Sequence, residues 1–394
     1  MYNWFDVWIW LETAALLVAT VKSVRYGFMS QLKDVKIPGS VAWPKVSVIV
    51  PACNEGDTIE AAGKKLITMD YPNIEYIIVD DRSTDRTGEI IDRLAQSDSR
   101  VKPIHVRELP AGWLGKVNAI NKGVTAATGE YFLISDADVH FSSECLKKAI
   151  VLCQQEKFDF LTVLPTLIAK SRFLRVCLAH FAHIVAIFVP IDLENKGMVG
   201  VGAFLLLNRK TYERSEGFQW LRLEILDDAA TAYMMKRAKG KLGVIGGVDE
   251  LEIEWYPSFG AFVRGVEKNI FAAFQYSLPL LCVATTLNVL AAGAVLVAPF
   301  YATHWYYGVG VWAALIMCLF SFAYSISRKW PIPFWEVLLT PLAFATFPFI
   351  GLRSAIITLK NGGVKWRTTF YPLKELRAGQ RLNALKMLKE ALLG

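Results

Sequence analysis

Two carboxylates, Asp136 and Asp138, come soon after the apolar segment 131–134 and have the spacing of a metal site. The aromatic and aliphatic residues of that segment predict a buried strand, which would end at the rim of a sheet. If the strand continues through Asp138, both carboxylates point to the same side, because side chains alternate along a strand. Two carboxylates that face one way repel each other unless a cation lies between them. The pair therefore predicts a site for Mg²⁺ or Mn²⁺, which often join carboxylates to the phosphates of a substrate.

Two further acidic pairs favour this interpretation over the alternative of a solvated turn that carries two acids. Asp80 and Asp81 follow another apolar segment, and Asp227 and Asp228 precede the helical pattern 229–237. Acids in the first turn of a helix are also favoured by its dipole, so capping is the alternative role for at least one of the last two. The three pairs together indicate a functional site.

Strands and helices are predicted to alternate through the middle of the chain. The strand patterns cover 46–51, 74–79, 101–106, 131–134 and 158–164, and the helical patterns cover 57–69, 115–127 and 143–155, with another ending near residue 95. This alternation predicts a Rossmann-like α/β fold with right-handed crossovers and a mostly parallel sheet covered on both faces. The polar clusters that end the first, second and fourth strands would then share one rim, where open α/β sheets bind ligands.

The chain is rich in apolar residues for a soluble enzyme, and the excess is concentrated at its two ends. It is 54% apolar and 20% charged, with a formal net charge of +7. The basic residues cluster beside apolar segments, as the positive-inside bias of membrane proteins predicts. The sequence has no basic helix or aromatic-basic repeat, so nucleic acid is not an expected partner. The six cysteines include no C-x-x-C pair, which favours reduced buried thiols over disulfides or zinc ligands.

Four apolar stretches are predicted to cross or enter the membrane. Residues 4–21 are about one bilayer long and are followed by basic residues, which predicts an uncleaved anchor with its N-terminus outside. Residues 278–300 and 305–326 are each long enough to span, and 334–359 form a further stretch that two prolines and a glycine interrupt. With an outside N-terminus, four spans would leave the tail outside, whereas its many basic residues predict the inside. A re-entrant or broken final segment would resolve this conflict.

The predicted organisation is that of a membrane protein with a cytoplasmic catalytic domain. The predicted parts are an N-terminal transmembrane anchor over 1–25, the catalytic domain over 45–269, a transmembrane region over 270–359 and a basic cytoplasmic tail over 360–394. Within the catalytic domain, residues 173–191 predict an amphipathic helix that lies on the membrane, with a full span as the alternative. The expected location is a plasma membrane of the bacterial type.

Three motifs resemble, in their order along the chain, the signature of family 2 glycosyltransferases, which have the GT-A fold. They are Pro51-Ala52-Cys53-Asn54-Glu55, then Val79-Asp80-Asp81-Arg82-Ser83-Thr84-Asp85, then Asp136-Ala137-Asp138. The similarity covers about residues 46–269. A further motif resembles the members that glycosylate membrane lipids, namely ceramide glucosyltransferases and the hopanoid- and carotenoid-associated enzymes. It consists of Gly112-Trp113-Leu114-Gly115-Lys116 with Ala119 and Asn121-Lys122-Gly123.

The resemblance implies an inverting, metal-dependent hexosyltransferase that moves one sugar from a nucleotide-diphosphate sugar to a lipid hydroxyl. Asp228, or in second place Asp227, would take the proton from the acceptor hydroxyl. Asp136 and Asp138 would hold the donor through Mg²⁺ or Mn²⁺, and Lys116 would meet the diphosphate as a point charge. Uridine is the nucleoside that the family leads us to expect.

The same motifs imply the rest of the donor site. Carboxylates can accept hydrogen bonds from the N–H of a nucleobase and from the hydroxyls of a sugar. The first two motifs would therefore contact the uridine and its ribose. The implied donor-binding residues are Pro51, Asn54, Glu55, Asp80, Asp81 and Trp113. The expected partners are a nucleotide-sugar donor, the lipid bilayer, and a lipid acceptor of the ceramide, diacylglycerol, hopanoid or carotenoid type.

One departure from the family separates single transfer from polymer synthesis. Processive synthases of the family carry a Q-x-x-R-W motif after the base, and the corresponding segment 262–269 lacks it. Arg264 and Lys268 in this segment would share one face of a helix, where they either contact the diphosphate or anchor the helix at the lipid surface. The alternatives to a lipid glycosyltransferase are a polyprenyl-phosphate glycosyltransferase, a short-polymer synthase, and a non-catalytic scaffold that binds nucleotide sugars or lipids.

Overall fold

The computed structural model describes residues 3–188 and 199–383 of the chain. The strands are β1 (Val46–Ala52), β2 (Ile74–Asp81), β3 (Val101–Val106), β4 (Tyr131–Ile134), β5 (His140–Phe141), β6 (Phe160–Leu164), β7 (Thr166–Leu167), β8 (Leu205–Asn208), β9 (Leu242–Gly246), β10 (Leu251–Ile253), β11 (Gly363–Trp366) and β12 (Thr369–Pro372). The helices are α1 (Trp4–Gly27), α2 (Ile59–Ile67), α3 (Thr87–Ser97), α4 (Gly115–Ala126), α5 (Cys145–Glu156), α6 (Arg172–Phe188), α7 (Arg209–Glu213), α8 (Gly217–Trp220), α9 (Asp227–Arg237), α10 (Phe259–Ala273), α11 (Leu278–Tyr301), α12 (Trp305–Ser327), α13 (Phe334–Val337), α14 (Thr346–Asn361) and α15 (Leu373–Gly379), with 3₁₀ turns at Leu32–Asp34 and Thr340–Ala343.

Seven strands form the central sheet, in the order β3-β2-β1-β4-β8-β6-β9. Strands β1 to β4 run parallel, β8 runs antiparallel to both β4 and β6, and β9 is parallel to β6. The prediction of a mostly parallel α/β sheet is therefore confirmed, with one reversed strand inside it. The strands β5-β10-β7 form a smaller sheet, and β11 pairs with β12 as a hairpin.

Strands β1 and β2 are neighbours in the sheet, and every residue in them is buried. Helix α4 packs on both strands, and a Cβ at Gly123 of this helix would lie only 2.4 Å from Ile49 Cγ2. The buried acid Glu75 connects three segments, because its Oε1 accepts hydrogen bonds from Ser47 Oγ at 2.6 Å and from the Thr128 N–H at 2.7 Å. This carboxylate ties β2 to β1 and to the segment before β4, the three strands whose ends carry the acidic motifs.

The acidic triplet lies beyond its strand, so the condition that the strand continues through Asp138 is not met. Strand β4 ends at Ile134, and the chain turns at Ala137 and Asp138. The backbone N–H of Asp136 donates to the carbonyl oxygen of Gly202 at 3.0 Å, and not to a partner in the ladder of β4. The direction of the two carboxylates is therefore set by a turn and not by the alternation of side chains along a strand.

The other predicted elements differ from the structure by a few residues at their ends. Strands β3 and β4 have the predicted bounds, whereas β2 extends two residues further than predicted and ends at Asp81. Helix α6 begins one residue before the segment 173–191 that was predicted as an amphipathic helix and covers that segment to residue 188. Residues 189–191 of the prediction lie outside the described residues.

The chain divides into two compact units. The first comprises Met1–Met29, Ala169–Ile191 and Tyr256–Ile356, and the second comprises Ser30–Ile168, Asp192–Trp255 and Ile357–Gly394. All of the sheets belong to the second unit. The β11–β12 hairpin and α15, which follow the last apolar stretch, therefore fold together with the central sheet.

Four helical stretches of the described chain are long and apolar enough to cross a membrane. They are Trp4–Gly27, Leu278–Tyr301, Trp305–Ser327 and Thr340–Asn361. Helices α1, α11 and α12 pack together in the first unit around Ile9, Val295 and Val311. Helix α12 comes close to the end of α11, since a Cβ at Gly308 would lie 2.2 Å from the backbone nitrogen of Pro299. The last stretch is not one continuous helix, because it consists of a 3₁₀ turn and α14, and the short helix α13 precedes it.

Candidate active site

The acidic segments meet at one edge of the central sheet. Strands β2, β1 and β4 are parallel neighbours, so their carboxyl ends lie side by side, and Ala52 of β1 pairs with Asp80 of β2. The predicted meeting of these strand ends is therefore confirmed. We use the term acidic rim for the motif residues at this edge, which are Asn54, Glu55, Asp80, Asp81, Asp136 and Asp138.

The loops after β1 and β2 are bound to each other by hydrogen bonds. Asn54 has a φ of 53°, a left-handed conformation that asparagine adopts more readily than most residues. Its Oδ1 accepts a hydrogen bond from the Thr84 N–H at 2.8 Å, and its own N–H donates to Ser83 Oγ at 3.0 Å. The N–H of Glu55 donates to Thr87 Oγ1 at 2.8 Å. The Asn54 side chain therefore keeps the two loops together.

Asp80 and Asp81 are buried, and each has a basic partner. Asp80 Oδ2 lies 3.0 Å from His105 Nδ1, and its Oδ1 accepts a hydrogen bond from the Ser83 N–H at 3.2 Å. The hydrogen bond to Asp80 raises the pKa of His105. Asp81 binds the Arg82 guanidinium with both oxygens, at 2.8 Å from Nε and 3.0 Å from Nη2. These partners offset the cost of burying the two carboxylates.

Lys116 joins the loop after β4 to the start of α9. Its Nζ lies 2.8 Å from Asp136 Oδ1 and 3.3 Å from Asp227 Oδ2. Burial by itself would lower the pKa of Lys116, but the carboxylates of Asp136 and Asp227 raise this pKa above its usual value. The lysine therefore stays charged and brings the two acids into one electrostatic cluster.

Asp227 and Asp228 occupy the first turn of α9, where the helix dipole favours acids. Asp228 Oδ1 accepts a hydrogen bond from the Ala229 N–H at 2.8 Å. Burial, and next the charge of Asp227, raise the pKa of Asp228 to about 6. Gly200 lies against this turn, because a Cβ there would be 2.0 Å from the carbonyl oxygen of Asp228. A carboxylate whose pKa is raised toward neutral pH is suited to accept a proton from a substrate.

Asp136 and Asp138 form the part of the acidic rim that suits a divalent cation. Burial, and next the charges of Asp136 and Glu55, raise the pKa of Asp138 to about 7. A cation would relieve this repulsion and favour the ionised form. Within residues 3–188 and 199–383, no group of three or more His, Cys, Asp or Glu side chains encloses a metal position. The residues therefore fit an ion that takes one or two carboxylates from the protein and its other oxygens from phosphates and water.

Two glycines allow the backbone to approach the charged side chains. A Cβ at Gly202 would lie 2.7 Å from Asp136 Oδ2 and 3.2 Å from Lys116 Nζ. A Cβ at Gly115 would lie 2.3 Å from Asp81 Oδ2. Any larger residue at either position would displace a charged group of the site.

The remaining predicted site residues are divided between the two units. Pro51 is buried in β1 and Trp113 is half-buried just before α4, both in the unit of the acidic rim. Arg264 and Lys268 lie on α10, one helical turn apart as predicted, but in the first unit. Their contact with a diphosphate stays a prediction.

Three residues near the site were not identified from the sequence. Arg82 binds Asp81, as described above, and the buried Glu224 accepts a hydrogen bond from the Leu226 N–H at 3.1 Å just before α9. Arg367, in the turn of the β11–β12 hairpin, forms an ion pair with the Glu55 carboxylate across 312 residues of chain. Motif spacing holds no signal for Arg367, because its partner lies near the other end of the sequence.

The comparisons with known proteins match the segment that carries this site. Residues 47–228 match the family described as Glycosyl transferase family 2. The beta-monoglucosyldiacylglycerol synthase of Nostoc sp. is 36% identical over 124 residues, which are 31% of this chain and 26% of that protein. The glycosyltransferase GlyG of Streptococcus pneumoniae is 39% identical over 93 residues, which are 24% of this chain and 30% of that protein. The chain thus covers less than a third of the length of either relative.

A solved structure supports the same assignment at the level of the fold. The mannosyltransferase PcManGT from Pyrobaculum calidifontis, in complex with GDP-Man and Mn²⁺, matches 90% of this chain and 98% of its own chain. The TM-score is 0.51 at 18% identity, which is a likeness of fold. The predicted GT-A fold is thereby confirmed. Residues 47–228 of this chain therefore form a glycosyltransferase domain of family 2.

Proposed function

We propose that the protein transfers one sugar from a nucleotide-diphosphate sugar, which we expect to be a UDP-sugar, to a hydroxyl of a membrane lipid, with inversion at the anomeric carbon. The observation that carries this proposal is the position of Lys116, whose ammonium group lies between Asp136 and Asp227. Lys116 therefore connects two parts of the site. One is the acidic rim, which suits a nucleotide diphosphate, and the other is the start of α9, which carries a carboxylate suited to proton transfer.

The donor would lie along the acidic rim. The carboxylates of Glu55 and Asp81 can accept hydrogen bonds from a uracil N–H and from ribose hydroxyls. Lys116 would attract the diphosphate and stabilise the negative charge that grows on it during transfer. A divalent metal bound at Asp136 and Asp138 would supply further neutralisation of that charge.

Asp228 is the proposed general base. Its carboxylate takes the proton of the acceptor hydroxyl as that oxygen attacks the anomeric carbon. The new carbon–oxygen bond forms opposite the diphosphate, while the bond from the anomeric carbon to the phosphate oxygen breaks. The electron pair of the broken bond leaves with the nucleoside diphosphate. Attack from the face opposite the leaving group inverts the anomeric configuration.

Two observations support a membrane lipid as the acceptor. The described chain has four helical stretches that could cross a membrane by length and composition. The relatives of the family domain include several proteins named beta-monoglucosyldiacylglycerol synthase. We expect an acceptor of the ceramide, diacylglycerol, hopanoid or carotenoid type.

A donor screen tests the proposal. Full-length protein in lipid is offered each common UDP- and GDP-sugar with Mn²⁺ or Mg²⁺, and nucleoside diphosphate release is measured with and without a membrane-lipid extract. We expect release that needs the metal and rises with the extract, and one added sugar on a neutral lipid by mass spectrometry. A sugar on a lipid phosphate would support a polyprenyl-phosphate glycosyltransferase instead, and a ladder of products would support a short-polymer synthase. Donor binding without any release would support a non-catalytic scaffold.

Turnover should rise with pH through the pKa of Asp228, because a general base must lose its own proton before it can accept another. Burial and the charges of Asp227 and Asp136 raise this pKa, Lys116 lowers it, and the result is about 6. We therefore expect the rate at saturating donor to be low at about pH 5 and level above about pH 7. Donor binding is measured over the same range, since Asp138 also has a raised pKa. A flat rate with unchanged donor binding would contradict the assignment.

The final apolar segment is proposed to return to the side of the membrane on which it begins. Residues 30–168 and 357–394 belong to one compact unit, in which Arg82 Nη1 donates to Thr369 Oγ1 and the Gly115 N–H donates to Tyr371 Oη, both at 3.0 Å. Parts of one folded unit lie on the same side of a membrane, so the chain between them crosses an even number of times. Helices α11 and α12 would supply two crossings, and the segment from α13 to α14 would be re-entrant.

Labelling of single introduced thiols tests this topology in sealed vesicles, using a variant without reactive native cysteines. Asp57→Cys and Lys374→Cys place exposed thiols in the second unit, which carries the acidic rim. His304→Cys places an exposed thiol between α11 and α12. We expect the first two to react with an impermeant reagent from the same side, and the third from the opposite side. If Lys374→Cys reacts together with His304→Cys, the last segment spans the membrane and the proposed topology is wrong.

A further inference from the structure

The β11–β12 hairpin contacts three separate loops of the candidate active site. Arg367 forms its ion pair with Glu55, in the loop after β1. As noted above, Thr369 accepts a hydrogen bond from Arg82 after β2, and Tyr371 accepts one from the backbone at the start of α4. All three loops belong to the motifs that resemble donor-binding segments. The hairpin is therefore positioned on the donor side of the site.

Arg367 lies in the turn of this hairpin, in a backbone conformation that is unfavourable for arginine. The pairing of Trp366 with Thr369 leaves two residues in the turn, and the φ of Arg367 is 55°. Asparagine and glycine are preferred at such positions because other side chains clash with the backbone there. Residues in strained backbone conformations cluster at active sites and ligand-binding segments.

The ion pair between Arg367 and Glu55 does not by itself explain this strain. The two side chains are 47% and 20% exposed, and ion pairs that remain in contact with water contribute little to stability. Burial raises the pKa of Glu55, Arg367 lowers it, and Asp136 raises it further. The guanidinium therefore lies at the Glu55 carboxylate of the acidic rim, where it remains accessible to a ligand.

The chain that follows the hairpin is fixed to the same unit. Glu224 Oε2 accepts hydrogen bonds from the backbone N–H groups of Arg381 at 2.6 Å and Leu382 at 3.1 Å. A Cβ at Gly379 would lie 2.2 Å from Leu223 Cβ, so α15 packs closely on the segment before α9. The hairpin is thus anchored at its own contacts and at the residues that follow it.

We propose that Arg367 binds the diphosphate of the nucleotide donor, so that the β11–β12 hairpin is a part of the donor site. This inference rests on the proposed function. A guanidinium has five N–H donors in a planar fork that matches phosphate oxygens, and it can bind a phosphate while it remains paired with a carboxylate. Arg367 would add its charge to that of Lys116 within the unit that carries the acidic rim.

The test measures how tightly full-length protein in lipid binds a nucleoside diphosphate, the matching monophosphate and the matching nucleoside. The first set of ligands is UDP, UMP and uridine, and the second is GDP, GMP and guanosine. Arg367→Ala should weaken binding of the diphosphate by about ten- to a hundredfold, the range expected when a charge-assisted hydrogen bond is lost. Binding of the monophosphate should weaken less, and binding of the nucleoside should not change. Arg367→Lys should restore part of the affinity, because it returns the charge without the fork.

Lys365→Gln is the matched control, since it removes an exposed positive charge from the same hairpin and should leave all three affinities unchanged. Hydrogen exchange on the wild type gives a second readout that does not depend on a variant. The amides of residues 363–372 should become more protected with UDP than with uridine.

Equal weakening of nucleoside and diphosphate binding in Arg367→Ala would show that Arg367 only positions Glu55, and would overturn the proposal. Unchanged diphosphate binding in Arg367→Ala, or equal protection of the hairpin by UDP and uridine, would also overturn it. If the wild type binds none of the six ligands and releases no nucleotide in the donor screen, the proposed function fails and this inference fails with it. Binding by the wild type that Arg367 does not affect leaves the proposed function intact.

Discussion

Replacing Asp228 by asparagine should lower turnover about a thousandfold, the contribution typical of one general base. Asparagine has nearly the same size, and its Oδ1 can still accept the hydrogen bond that the Ala229 N–H donates to Asp228. It cannot take a proton from the acceptor hydroxyl. Donor binding should therefore remain close to that of the wild type, while the single-turnover rate with lipid extract falls.

Asp227→Asn is the matched comparison, because it removes the neighbouring carboxylate in the same turn of α9. Asp227 contacts Lys116 at 3.3 Å, so this variant should alter the affinity for the donor and lower turnover less than Asp228→Asn does. If Asp228→Asn remains near full activity while Asp227→Asn is inactive, the base is Asp227. If both remain active, neither residue is the base and the mechanism is wrong.

Asp138→Asn should lower turnover by about a hundredfold or more, because metal stabilisation of a departing diphosphate is worth several kcal/mol. The direct measurement is donor affinity as a function of Mn²⁺ concentration. In the wild type the affinity should rise with Mn²⁺, and in the variant this dependence should be lost or shifted to much higher concentrations. Metal dependence that is unchanged in the variant would remove Asp138 from the metal site.

Stability and a distant acid provide the controls for this variant. Burial and nearby carboxylates raise the pKa of Asp138 to about 7. Above that pH the carboxyl is ionised in the folded protein, and its charge lowers the stability of the fold. Asparagine removes this charge, and the metal-free variant should melt at or above the temperature of the wild type at about pH 8. Asp70→Asn, an acid that is 63% exposed and pairs with Lys147, should leave both turnover and metal dependence unchanged.

The strand-end acids could be predicted because local patterns are sufficient to locate them. Apolar runs of strand length alternate with helical patterns, and the carboxyl ends of neighbouring parallel strands meet at one edge. The turn that carries Asp138 could not be predicted in the same way. It depends on the hydrogen bond from the Asp136 N–H to the carbonyl oxygen of Gly202, which lies on a distant segment. The reversed strand β8 was missed for the same reason, since its direction is set by pairing with β4 and β6.

The sequence by itself determined the order of the motifs, the mostly parallel sheet, the family of the domain and the stretches able to meet a membrane, because these depend on residue type and local spacing. Only the tertiary structure decided which charged groups are partners. It placed Lys116 between Asp136 and Asp227, brought Arg367 to Glu55 across 312 residues, and put Arg264 and Lys268 in the other unit. The physical reason is that electrostatic interactions depend on distance in space, and separation along the chain does not determine that distance.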